Sequence, residues 1–510
     1  MTRMTTPPDP HALLRSKNYL RLLVLAAVLG APISAAAYGF LALVNYLQPE
    51  VFTHLPNGLG FNGAPPWWPL PMLVIAGLIA APVIRYLPGK GGHSPAGGFK
   101  VHGAPTPAEL PGILLAALAT LVFGVVLGPE MPLIALGGGL AVLTVRLARR
   151  DMPAQATAVV AAAGSFAAIS TLLGSPLTGA FLLMEASGLG GAMLGVGLLP
   201  GLLAAGVGAL IFIGLDAWTG LGTFSLSVPG LPHFARPDIA EFGWALVIGV
   251  AAPIVGIAIR RLALAAKPRV ERRLLIALPV AGAIVAGLAI AYAQGTGKSY
   301  DNVLFSGQSG LNPLITHAAT YSVGTLAALL ACKGLAYGMS MSGFRGGPVF
   351  PSIYLGAAGG LLMSHLPGLP LVPAVGMGIG AMLVTMLSLP LTSVLLATLL
   401  LASDGLAVMP LVIVAVVVAF VVSARIGPRP QEPAAGAPAA APATAAAAPA
   451  TAVPAPAPAG DPAAAQPEKA TPPAPRQGDQ GGDRTGDRTG DRPGDRPGDR
   501  PGWPGGRGRA

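Results

Sequence analysis

The chain alternates long apolar runs with short polar breaks from residue 19 to about residue 425, and the lengths of the runs dictate the elements. Stretches 19–47, 67–88, 106–127, 155–173, 192–215, 241–265, 273–294, 314–332, 370–387 and 406–424 are long enough to span, or nearly span, about 30 Å of hydrocarbon as helices. Shorter runs at 132–145, 176–189, 349–363 and 390–402 predict half-helices. No stretch sustains the period-two alternation of a barrel strand. The pattern predicts an all-α polytopic membrane protein.

The chain also contains itself twice. GPEMPLIALGGG from Gly128 to Gly139 is echoed from Gly347 as GPVFPSIYLGAAGG, and Pro176-Leu177-Thr178 is echoed by Pro390-Leu391-Thr392. An odd number of crossings per half turns the second copy upside down, so an inverted repeat with broken and re-entrant helices is expected. The organisation then reads as an N-terminal segment 1–18, a first membrane repeat 19–216, an outward loop 217–240, a second, inverted repeat 241–426 and a tail 427–510. The tail turns abruptly to Ala/Pro runs and a GDRT/GDRP series; such a composition builds no core and predicts disorder.

Composition agrees with a membrane protein. Hydrophobic residues make up 53% and charged residues 10% of the 510-residue chain, with a mean hydropathy of +0.66, against a charged fraction of roughly 25% in soluble domains. The net charge of +10 does not point to nucleic acid, because the basic residues cluster in short loops beside apolar runs, the positive-inside pattern. Arg3, Arg15, Lys17 and Arg21, the loop of Arg146, Arg149 and Arg150, and the loop of Arg260 to Arg273 mark the cytoplasmic side. Both chain ends are expected there, in a protein integral to a bacterial plasma membrane. The single cysteine, Cys332, excludes disulfides and a cysteine metal site.

Few charges fall inside the apolar body: Glu130 and Glu185 in the first half, Lys333 and Arg345 in the second. An ionisable group at membrane depth is costly and marks a functional position. Glu130 lies between Pro129 and Pro132 at the start of an apolar run, so Gly128 to Pro132 predicts a helix N-terminus inside the bilayer. The repeat supplies a second N-terminus at Gly346 to Pro351. Two such ends, each with free N–H groups and a positive dipole end, make an anion site without a full charge. The alternative for Glu130 is a glutamate that only caps backbone. Glu185 serves either a proton path or an interfacial contact, and Lys333 and Arg345 either a vestibule that concentrates anions or buried carbonyls.

These residues resemble the CLC family of chloride channels and chloride/proton antiporters. The family's G-(K/R)-E-G-P motif is similar to Gly128-Pro129-Glu130-Met131-Pro132, its G-x-F-x-P motif to Gly347-Pro348-Val349-Phe350-Pro351, and its G-S-G-I-P motif to Gly91-Gly92-His93-Ser94-Pro95. GSPLTGAFLLMEAS, Gly174 to Ser187, resembles the family's dimer-interface helix, and GTGKSYDNVLFSG, Gly295 to Gly307, its loop before the second anion motif. The resemblance implies a CLC-like inverted repeat, a homodimer with one pore per subunit, and no cofactor or metal. It implies that Gly91, Gly92, Ser94, Gly128, Met131, Gly347, Val349 and Phe350 bind the anion and that Glu130 is the gate. The carboxylate competes for the anion position when ionised and swings away when protonated. The chain departs from the family at Ala186, where antiporters carry an internal proton-transfer glutamate, at Gly92 and Pro348, and in a last helix bearing a tyrosine.

The expected function is transport of chloride or a similar small anion through a CLC-type pore in a lipid bilayer, passive or weakly proton-coupled. A proton-coupled chloride or fluoride antiporter is the alternative. An enzyme is not expected, since no Ser/His pair, paired aspartates, metal-ligand spacing or phosphate loop is present.

Overall fold

Proline and short polar caps set where the helices begin. The computed structural model describes residues 14–99, 103–148, 154–187, 192–220, 231–234 and 236–427; Arg3, Arg149, Arg150 and the GDR-rich tail lie outside them. All of them belong to one compact unit within Met1–Ala445, and the second unit, Ala446–Ala510, lies wholly outside the described residues. In the first half, α1 (Lys17–Pro49) is capped by Ser16 and runs on through a π-helical turn, Glu50–His54. It is followed by α2 (Pro69–Tyr86), α3 (Leu110–Val122), α4 (Glu130–Ala148), α5 (Ala154–Leu172), α6 (Pro176–Ser187) and α7 (Ala192–Thr219). The second half opens with α8 (Ile239–Arg272), held by a capping box of Asp238 and Glu241, the reciprocal pairing that satisfies two orphan donors. It continues with α9 (Leu274–Thr296), α10 (Gln308–Thr316), α11 (Val323–Gly343), α12 (Val349–Met363), α13 (Leu371–Leu387), α14 (Pro390–Leu400) and α15 (Gly405–Ile426).

Apart from α10, the two halves match helix for helix. In the first, α4 packs on α5, α5 on α6 and α7, and α1 on α5 and α7; in the second, α12 packs on α13, α13 on α14 and α15, and α8 on α13 and α15. Equivalent helices also meet each other, α2 against α9 and α6 against α14, as elements beside a pseudo-two-fold axis must. The close crossings repeat too. A Cβ at Gly137 or Gly164 would strike the other's carbonyl, and so would one at Gly356 or Gly378. In lipid, helices gain no hydrophobic drive from meeting, so small residues that allow backbone contact hold them together. Apolar side chains such as Val24, Val28, Leu210, Ile254, Ile276 and Val417 remain on the outside, where hydrocarbon is the solvent. Among the described residues, eight helices are long and apolar enough to cross a bilayer.

Three boundaries differ from the sequence pattern. The run 314–332 is two elements: α10 ends at Thr316, a 3-10 turn follows at Ala318–Thr320, and Ser322 caps α11 by accepting from the Thr325 amide at 3.2 Å. Apolarity continues across that break, so hydropathy alone joins the pieces. The expected half-helix 132–145 is the 19-residue α4, which starts two residues earlier, with Pro132 in its first turn, and ends three residues later, past Arg146. The expected span 106–127 is only 13 helical residues in α3; a turn at Phe123 and Gly124, the latter at φ +89°, ends it, and the chain continues non-helically to Gly128.

Candidate functional site

Gly128 and Gly347, equivalent residues of the two repeats, pair with each other. The Gly128 amide donates to the Gly347 carbonyl at 2.8 Å and the Gly347 amide returns the bond at 2.6 Å, the single antiparallel bridge among the described residues. An antiparallel bridge has two-fold symmetry, so the pseudo-axis relating the halves passes through it. It joins the loops that open α4 and α12 and sets the two helix N-termini side by side in the protein interior. This corrects the expectation that Gly128 and Gly347 offer their amides to an anion, because both are already bonded. Their lack of side chains matters instead: a Cβ at either would run into the Glu130 carboxylate.

Glu130 begins α4 yet serves the opposite helix. Fully buried, it reaches across the bridge, and its Oε1 accepts from the Phe350 amide at 2.8 Å in the first turn of α12. Its Oε2 has no hydrogen-bond partner, and among the described residues no Lys, Arg or His stands within ion-pair distance of it. A buried carboxylate with one oxygen unsatisfied and no cation is held by helix dipole and amide alone. The start of α12 is fixed from behind by Tyr337, whose hydroxyl donates to the Pro348 carbonyl at 3.0 Å, and by Ser352, which donates to the same carbonyl at 2.6 Å. Thr120 and Ser340 add cross-links by accepting from the amides of Arg345 at 3.4 Å and Val126 at 3.3 Å.

On the other side of the bridge lies a cavity of about 260 Å³, several water volumes of about 30 Å³ each. It is lined by Gly91, Gly92, His93, Glu109, Met131 and Pro132 with Arg345, Gly346 and Ser165. Gly91 adopts φ +68°, and a Cβ there would press on Ile84, Ala116 and Arg345, so only glycine lets this turn close over the cavity. Of the residues expected to bind the anion, Gly91, Gly92 and Met131 line this cavity, and so does Arg345, expected in a vestibule. Ser94 does not line it, and its buried hydroxyl has no partner. Val349 and Phe350 face the Glu130 carboxylate.

Of the two expected readings of Lys333, the structure fits the buried carbonyls and not the vestibule. Lys333 is buried on α11, where its ammonium donates to four successive carbonyls: Asn302 at 3.0 Å, Val303 and Leu304 at 3.1 Å and Phe305 at 3.4 Å. The Tyr354 ring lies 4.3 Å away. Carbonyls at the end of a helical turn point the same way and make a negative pole. Phe305, at φ +57°, ends that turn. In the same loop, burial raises the Asp301 carboxyl from its ordinary value while the Ser299 hydroxyl and the Lys333 charge lower it; burial, with the Asp301 charge, pushes the Tyr300 hydroxyl up to about 12.

Glu185 also has a defined partner. From α6 it accepts from the amides of Leu391 at 2.9 Å and Thr392 at 2.8 Å and from the Thr392 hydroxyl at 2.7 Å, capping α14, its own helix's counterpart in the other repeat. Glu185→Ala is expected to cost about 1–2 kcal/mol, the upper range for a lost cap, read as a lower melting temperature in detergent, with Glu185→Gln restoring part of it. An unchanged melt would show that the cap contributes nothing. The sequence offered buried carbonyls as one reading of Lys333 without saying which, and this cap was not legible in it, since the partners of Glu185 lie 206 and 207 residues away.

Comparison with known proteins places this geometry. A family model described as voltage gated chloride channel matches residues 72–424. A protein of Salmonella schwarzengrund (strain CVM19633) named for ion transport, YfeO, is 28% identical over 360 residues, 68% of this chain and 81% of that protein; its counterpart in Salmonella newport (strain SL254) matches to the same extent. Among solved structures, a slow cyanobacterial Cl−/H+ antiporter superposes with a TM-score of 0.65 at 18% identity, covering 80% of this chain and 96% of that one. A CLC-type fluoride/proton antiporter does so with a TM-score of 0.58 at 21% identity and the same coverage.

Proposed function

The chain belongs to the voltage gated chloride channel family, whose activity is anion transport, and from that premise we propose that it carries chloride or a similar small anion from the vestibule past the paired loops, with Glu130 as the gate. The observation that supports this most is the Glu130 carboxylate itself. Its Oε1 lies 2.8 Å from the Phe350 amide at the start of α12, with no cation to compensate it. A carboxylate oxygen there stands in for an anion: what holds one would hold the other. An ionised Glu130 therefore blocks, and a protonated one releases the amide.

In this reading the transport is passive or weakly proton-coupled. Glu185 is engaged in capping α14, and Ala186 stands beside it, which leaves Glu130 as the proton-carrying group of the route. The solved relatives that exchange chloride or fluoride for protons support the alternative, a coupled antiporter. The same reading makes the vestibule cytoplasmic, because Arg146 at the end of α4 and the basic end of α8 fall on the side favoured by the positive-inside rule. It places two copies of the chain in one plasma membrane, joined through α6 and α14, where Leu177, Phe181, Leu391 and Leu399 are exposed.

Liposomes loaded with potassium chloride and diluted into low chloride test the proposal with chloride and proton electrodes together. The expected result is chloride efflux on adding valinomycin, with proton movement far below one proton per few anions. Stoichiometric uphill proton movement would establish the antiporter instead, and the absence of chloride, nitrate or fluoride flux would refute transport through this site.

A further inference from the structure

The vestibule holds a buried cation with no carboxylate in contact with it among the described residues; the Glu271 charge acts on it only from beyond ion-pair distance. Arg345 is 8% exposed, and three carbonyls clamp part of its guanidinium. Nη1 donates to Gly343 at 2.9 Å and Phe344 at 3.4 Å, and Nε donates to Lys90 at 3.3 Å. Those bonds fix the plane of the group and leave Nη2 without a protein acceptor, on a side chain that lines the cavity. Among the described residues no carboxylate lies within ion-pair distance of Arg345. Glu109, the acid on the cavity wall, accepts from the Thr106 amide at 2.8 Å, and the Ser165 hydroxyl donates to the Ile134 carbonyl at 2.9 Å. At the same end, the amides of Met131 and Gly346 donate to no backbone acceptor. Both residues lie beside the bridge, and Met131 adjoins the Glu130 barrier. A guanidinium nine-tenths buried needs a counter-ion, since an unpaired buried charge is among the costliest arrangements in a protein.

We propose that Arg345 is a direct ligand of the transported anion, its Nη2 forming, with the Met131 and Gly346 amides, a holding station for a small monovalent anion at the closed end of the vestibule. The inference rests on the transport reading above and deepens it by naming the side chain that sets anion affinity. The three carbonyl clamps make the station rigid, so the anion meets a preorganised donor. The guanidinium keeps its charge at any working pH. The ligand that Arg345 supplies to the station therefore does not itself titrate, although His93 and Glu109 share the cavity wall.

Chloride affinity and the chloride dependence of liposome flux test the assignment in purified wild-type, Arg345→Gln and Arg345→Lys protein. For R345Q the dissociation constant and the half-saturating chloride concentration are expected to rise about tenfold or more, the scale of a lost charge-assisted bond, while the maximal rate stays within about threefold. R345K, which keeps the charge but loses the clamped guanidinium plane, is expected to fall between wild type and R345Q in affinity. A merely structural arginine would lower stability and maximal rate together and leave affinity unmoved. Crystals of the wild-type protein soaked in bromide supply a readout that needs no variant: anomalous density within hydrogen-bonding reach of Nη2 supports the station, and its absence there overturns it. Wild-type flux with an unchanged R345Q affinity overturns this proposal alone, whereas wild-type protein that passes no anion overturns the transport reading as well.

Discussion

Glu130→Gln makes anion flux through reconstituted protein independent of external pH and raises it about tenfold or more at neutral pH. The wild-type side chain holds the Phe350 amide at 2.8 Å as a carboxylate, a charge-assisted bond of about 1.5–3 kcal/mol. A glutamine of the same shape can still accept from that amide, but as a neutral partner in a bond of about 0.5–1.5 kcal/mol. The difference of about 1.4 kcal/mol is a factor of ten in how often the side chain leaves the helix end. With Glu130 as the proposed gate, the same release in the wild type requires a proton, so flux is expected to rise as pH falls and to be lowest where Glu130 is ionised. The amide of the variant does not titrate, and the profile flattens at the fast end. Flux assays across external pH 4.5 to 7.5 measure both effects; a variant that keeps a steep pH dependence would remove Glu130 from the gate.

How far the site could be read before the fold was known depended on whether each contact is local. The N-termini of α4 and α12 were legible because Pro129, Pro132, Pro348 and Pro351 act within their own turn. The halves were legible because the repeat is written in Gly and Pro, whose backbone roles do not depend on neighbours. The direction of the amides was not. Nothing in GPEMP or GPVFP says that Gly128 and Gly347 bond each other and so have no amide to offer an anion. That Glu130 belongs functionally to the other repeat is a property of the axis, not of either segment. The membrane charges show the same limit: composition singled out Glu185, Lys333 and Arg345 equally, and only their partners separate a helix cap, a carbonyl cage and a vestibule cation. For Lys333 the partners are 28 to 31 residues away, in a loop whose carbonyls converge because Phe305 takes a positive φ.

That distinction makes Lys333 the position where substitution should damage the fold most. Lys333→Met is expected to lower the melting temperature of the detergent-solubilised protein by about 5 °C or more or to prevent its recovery. The ammonium supplies three donors to the four carbonyls of residues 302–305, and methionine supplies none. Each buried carbonyl left without a donor costs about 1–3 kcal/mol. Relaxation of the loop keeps the total below their sum, nearer the 3–5 kcal/mol of a buried charge contact broken from one side. The loop also carries Phe305, whose amide donates to the Gly124 carbonyl at 3.0 Å and whose ring meets Phe52 edge-on. Loosening it therefore reaches the turn after α3 and the π-helical turn that continues α1. A lysine serving to concentrate anions would behave in the opposite way, since K333M would then melt like the wild type and bind chloride more weakly. Thermal unfolding and chloride titration on the same preparation separate the two, because the cage predicts a lowered melt with anion affinity unchanged in whatever protein remains folded.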